Sequence, residues 1–141
     1  MSKIDRKRLA ALERRLGAKI PADFIASLTN REPICEGNVA LVIGNRIRDV
    51  RTTFRLDSSD DDSQIDSVYH LVGDVVPPNA LPFAEDWAGN LFCLMLDGKD
   101  AGKVVFWDHE RDADDHSVKL LSPSINDFYT SLVPDPRNAD P

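Results

Sequence analysis

The sequence predicts an α+β fold: a single domain with a mostly antiparallel (mixed) sheet flanked by helices. Three observations predict it. Apolar residues recur at helical spacing near both ends of the chain, residues 91–96 are apolar at every position, and the strand-like runs are joined by short Gly-containing turns rather than by helical crossovers. The 141 residues suit one domain with a real core and need no metal or disulfide to hold it.

The elements follow in order. Ser2 with Asp5 three residues on predicts a capping box, and Leu9, Leu12 and Leu16 give the first helix one apolar face. Arg14 and Arg15 suit its last turn, and Gly17 offers a left-handed stop. Pro21 is placed at the first position of a second helix that buries Phe24, Ile25 and Leu28 and ends near Asn30. Residues 39–43 and 46–56 read as two strands of a hairpin across Gly44-Asn45, although Ile47 is out of phase with Val50, Phe54 and Leu56. Residues 57–63, with four Asp and three Ser, read as a mobile acidic loop that also supplies the cap of a third helix. That helix spans roughly 64–73, with Ile65, Val68, Tyr69 and Val72 on one face, and Pro77-Pro78 forces an extended connection after it.

Residues 91–96 do not alternate, so this strand is covered on both faces and central in its sheet. Residues 103–107 return as a second strand, with Phe106 and Trp107 on opposite faces, and 118–121 form a third beside it. Ser122 is expected to cap a last helix with Pro123 at its first position and Ile125, Phe128, Tyr129 and Leu132 inward. Pro134 stops it, leaving residues 1–133 as the domain and 134–141 as a disordered tail.

Charge narrows the partners. The chain has a formal net charge of −7, yet residues 1–20 carry seven basic side chains against Asp5 and Glu13, a surplus of five. The remainder is therefore at −12, which repels nucleic acid and attracts basic partners. No apolar run approaches membrane-spanning length. The charged first residues do not resemble a secretory leader, and Cys35 and Cys93 read as two buried free thiols, so a cytoplasmic location is expected. No Gly-rich phosphate loop follows a strand, so no nucleotide site, and no cofactor, is expected.

The candidate partner-binding residues are Glu85, Asp86, Trp87, Asn90, Trp107, Asp108, His109 and Glu110. They fall in two polar clusters, one just before the strand 91–96 and one just after the strand 103–107. Gly89 and Asn90 are explained well by a turn that delivers the chain into the central strand; Trp87 is either a lid over the core or an interface anchor. The carboxylates and imidazoles of 108–116 suggest a metal site only loosely, since their spacing matches no established motif. A solvated acidic loop explains them better. His109 lacks an indicated nucleophile: there is no Gly-x-Ser-x-Gly elbow and no cysteine in an activating context.

One resemblance draws these features together. Pro82-Phe83-Ala84, Asp86, Gly89-Asn90, the apolar strand, and a second strand ending Trp107-Asp108-His109-Glu110 look like the SUKH superfamily, which holds the fungal Smi/Knr-type cell-wall regulators and many bacterial immunity proteins. Leu16-Gly17, Ile20-Pro21 and Asp23-Phe24 resemble its opening helices. Trp87-Ala88 stands where the family carries more glycine, and the acidic loop 57–63 lies outside its pattern. The resemblance implies protein binding without catalysis, with an immunity protein that neutralises a cognate toxin, such as a basic nuclease, as the leading expectation. A regulatory scaffold for a housekeeping protein is the alternative, and a small metal-dependent hydrolase built on His109 and His116 stands third.

Overall fold

The first helix, α1 (Arg6–Leu16), begins where Asp5 accepts the backbone N–H groups of Lys7 and Arg8 at 3.0 and 3.1 Å. The cap is thus Asp5; Ser2, expected to open a capping box with it, lies outside the described residues. The Ser58 hydroxyl donates to the other Asp5 oxygen. The Arg8 backbone N–H and then this hydroxyl hold the Asp5 carboxyl below its usual range. Gly17 ends the helix in a left-handed conformation (φ +68°) that a side chain would strain. α2 (Ala22–Asn30) follows Pro21, which sits at the cap, one place earlier than expected. The computed structural model describes residues 3–109 and 118–138.

The strands fall into two antiparallel sheets. β1 (Val39–Ile43) and β2 (Arg46–Val50) form the expected hairpin across Gly44-Asn45. The run 46–56 does not continue as one strand. At Arg51 the backbone N–H donates to Glu85 O and the carbonyl accepts from Gly37 N, which carries the chain out of the first sheet. β3 (Thr52–Thr53) then opens the second, so the out-of-phase Ile47 and the buried Phe54 belong to different layers. The second sheet has the order β3-β4-β5-β6-β7, with β4 Ala80–Glu85, β5 Leu91–Met95, β6 Val104–Trp107 and β7 Val118–Ser122. β5 lies at its centre with Leu91, Phe92, Cys93 and Leu94 all buried, as its non-alternating sequence requires.

β4 is a strand that the sequence reading missed. Proline cannot donate to a ladder and is tolerated in sheets at edges and bulges. Here the register against β5 shifts between Pro82 and Ala84, so a bulge absorbs the proline. Ahead of it, the chain turns rather than extends: Ala80 N donates to Pro77 O, with Asn79 left-handed at φ +66°.

α3 (Ile65–Val72) is preceded by Gln64, which makes no side-chain cap. Its fully buried amide instead accepts from Asp57 N (2.8 Å) and donates to Asp57 Oδ1 (2.7 Å). With Arg55 also paired to Asp61 and to Asp57, the acidic loop is tied down at both ends, contrary to the mobile loop expected. α4 (Ile125–Thr130) is capped by Ser124, because Ser122 is still pairing in β7.

α2 and α4 share one face of the large sheet, where edge-to-face rings run from Phe24 through Phe83, Phe128 and Phe92 to Phe106, with centroids 5.1–5.6 Å apart. α3 packs against β4, and Arg15 of α1 reaches it by stacking on Tyr69 and meeting His70 Nδ1 at 2.9 Å.

Two further expectations are corrected. Cys93 is buried, and burial pushes its thiol pKa up, but Cys35 is exposed, because it lies in the irregular segment between α2 and β1. The stretch after α4 is not loose through residue 138. β8 (Val133–Pro134) pairs with β1, Asp135 is 4% exposed and donates its N–H to Asn38 O, and a 3-10 turn (Pro136–Asn138) follows. Backbone pairing and an Asp135–Arg137 ion pair hold it; residues 139–141 lie outside the described residues.

Candidate functional site

The turn 86–90 is built from the inside. Asp86 is 8% exposed, and its carboxylate accepts the N–H groups of Ala88 (2.9 Å) and Asn90 (2.8 Å) on one oxygen and Asn90 Nδ2 (3.0 Å) on the other. Gly89, at φ +86°, lets the chain close. A carboxylate only accepts, so Asn90 must turn its NH₂ to Asp86 and its oxygen outward. That oxygen receives His109 N (3.1 Å) and lies 2.7 Å from His109 Nδ1. His109 Nδ1 therefore carries the proton in this hydrogen bond. The group on Nδ1 is an amide rather than a carboxylate, so no His–carboxylate dyad forms there.

Asp86 and Asn90 thus hold the turn rather than present themselves, whereas Trp87 is 54% exposed. Its backbone N–H donates to Asp49 Oδ1 at 2.9 Å, and the Arg51 guanidinium lies 5.1 Å from its ring centroid. Arg51 in turn donates to Glu85 Oε1 at 3.2 Å. Beside this turn, a groove of about 720 Å³ runs between α3 and the sheet. It brings together Glu85, Trp107 and His109 of the expected residues. Trp107 is half-buried, 6.5 Å from the His109 ring, while Phe106 is the core member of the pair. Asp108 is half-buried at the strand end, and Glu110 lies outside the described residues.

The sequence reading missed Cys35, Glu36, Arg51 and Leu71 of the groove. Leu71, 79% exposed, carried a legible signal, since it is an apolar residue off the Ile65–Val68–Tyr69–Val72 face. Cys35 and Glu36 carried none, because no helical or strand period governs their segment. Arg51 Nε is a buried donor with no acceptor among the described residues. Among those residues no three His, Cys, Asp or Glu side chains are grouped to hold a metal, and no helix is long and apolar enough to cross a membrane. His116, named with His109 for the hydrolase reading, lies outside them.

The inward role of Asp86 has a measurable consequence. Asp86→Ala removes three hydrogen bonds from a nearly buried group and should cost about 2–3 kcal/mol in urea unfolding. A loss under about 0.5 kcal/mol, the range of ordinary surface changes, would mean that the carboxylate does not build the turn.

Residues 3–131 match the family model described as SMI1 / KNR4 family (SUKH-1). The chain belongs to this family. Over 82 residues it is also 33% identical to the "SPbeta prophage-derived uncharacterized protein YokK" of Bacillus subtilis (strain 168). That match covers 58% of this chain and 41% of the relative, so the aligned part spans about two-fifths of the relative's length. The SUKH-1 match takes in all four helices and both sheets except β8, which begins at Val133.

Proposed function

We propose that this SUKH-1 protein is a non-catalytic binding module that acts inside the cell as an immunity protein, neutralising a cognate toxin by covering it. The observation that carries the reading is Trp87. A tryptophan more than half exposed on a hydrogen-bonded turn, beside a groove walled by Trp107 and Leu71, has the build of an interface anchor rather than a core lid. Trp87, Glu85, Trp107 and His109, with Asp108 at the strand end, form the docking face, and Asp86 and Asn90 shape it; Glu110, expected to join them, lies outside the described residues.

Charge supports a basic partner. Residues 21–141 stand at −12, and Glu36 and Asp62 line the groove without a basic partner among the described residues. A nuclease with a cationic substrate groove fits that surface. The prophage origin named for the Bacillus relative is in keeping with a gene carried beside a toxin.

The test is coexpression with the product of the adjacent gene. The expected result is rescue from toxicity, co-purification, and affinity that falls about tenfold or more between low and high salt. An adjacent toxic product that is neither neutralised nor retained would overturn the reading. Capture of a housekeeping protein instead would favour the scaffold alternative.

A further inference from the structure

Asp49 joins two parts of the molecule that are far apart in sequence. Its Oδ1 receives the Trp87 N–H at 2.9 Å, and its Oδ2 receives Arg137 Nη2 at 2.9 Å. One rigid carboxylate thus holds the docking turn on one side and the segment after α4 on the other. We infer that Arg137 is a positioning residue for the Trp87 turn, and that residues 133–138 act as a strap that fixes where the tryptophan stands.

Three features give the strap its reach. First, Arg137 is itself locked. Its Nε donates to Asp135 Oδ1 (3.0 Å), its Nη2 to Asp135 Oδ2 (2.7 Å), and its backbone N–H also to Oδ1 (3.0 Å). The planar fork leaves the guanidinium little freedom to turn away from Asp49. Second, the strands bring the ends together. Ala40 is paired with Asp49 on one side and with Val133 on the other, so the three side chains stand in a row on one face. Only a methyl group occupies the middle, and it is fully buried. A larger residue at position 40 would stand in the row between Asp49 and Val133. Third, the family match ends at residue 131, so the strap is an addition to the matched region rather than part of it.

The Arg137–Asp49 pair is partly exposed, with side chains 48% and 21% accessible, so its direct contribution to global stability is small. Its effect is local: it limits rotation of the Asp49 carboxylate and thereby keeps the acceptor aimed at the Trp87 amide. The consequence for binding rests on the docking role proposed above; the strap itself does not.

Amide hydrogen exchange on the full chain tests this without a partner. Arg137→Gln should speed exchange at the Trp87 amide by about three- to tenfold, the range of a screened charged hydrogen bond, and leave β5 amides protected as before. Asp49→Asn should do the same through the other end. Arg137→Lys should restore part of the protection, since an ammonium still reaches a carboxylate but lacks the fork. Unchanged exchange at Trp87 in both Arg137→Gln and Asp49→Asn overturns the inference. So does a loss confined to β1 and β8, which would make the strap only a third strand. In a second arm with the partner, Arg137→Gln should weaken binding in the wild-type background and not in Trp87→Ala. If exchange responds while affinity does not, the strap stands and the docking role of Trp87 falls.

Discussion

Replacing Phe83 with alanine should remove about 3–5 kcal/mol of stability, the largest loss expected from any single change in this chain. Phe83 is fully buried on β4 and links the rings of α2 and α4. It meets Phe24 of α2 edge-on at 5.6 Å and Phe128 of α4 at 5.1 Å. Truncation therefore opens a cavity where both helices contact the sheet, and Phe128 cannot relax into it without drawing away from Phe92 and Tyr129. A small domain has about 5–15 kcal/mol of net stability in total, so the variant should be marginal at physiological temperature. Urea unfolding followed by circular dichroism measures it, with a lower midpoint and an unchanged slope. A loss below about 1.5 kcal/mol, the cost of a volume-conserving exchange, would show that the helices close over the gap.

Trp87→Ala should leave that stability within about 0.5 kcal/mol, because the ring is largely in solvent and the backbone N–H that bonds Asp49 survives the substitution. Affinity for the cognate partner should fall by about 30-fold or more, equivalent to at least ~2 kcal/mol and mostly in the dissociation rate. The two measurements oppose each other by design. An anchor changes binding and spares folding, whereas a lid over the core does the reverse. The cation–π contact with Arg51 is lost in either case and is worth only about 0.5–1 kcal/mol at an exposed site. A variant that binds normally but melts early would return Trp87 to the core.

How much of this was legible in the sequence depends on where the deciding interactions lie. The unbroken apolar run of β5, the Gly17 stop and the Gly44-Asn45 hairpin are local signals, and the structure has all three as expected. β4 was hidden because Pro82 argues against a strand until a bulge is known to sit beside it. The loop 57–63 reads as solvated from its composition, yet Gln64, an unremarkable polar residue in sequence, reaches back to bury Asp57. The same applies to Asp86. A carboxylate in a polar turn looks partner-facing, and only the three donors folded around it turn it inward. Trp87 and His109 were visible as an aromatic and an imidazole out of place; their mutual support through Asn90, Asp49 and Arg51 runs between distant segments and has no periodicity to reveal it.

The order of the strands also governs how the molecule comes into being. β4 through β7 are neighbours in space in the order in which they are made, so most of the large sheet can zip up from one continuous stretch with little loop entropy to overcome. The small sheet is different, since β1 waits for a partner that is synthesised after every helix. Chain assembly should therefore finish at β8, and a newly made molecule should pass through a stage with a settled interior and an immature recognition surface.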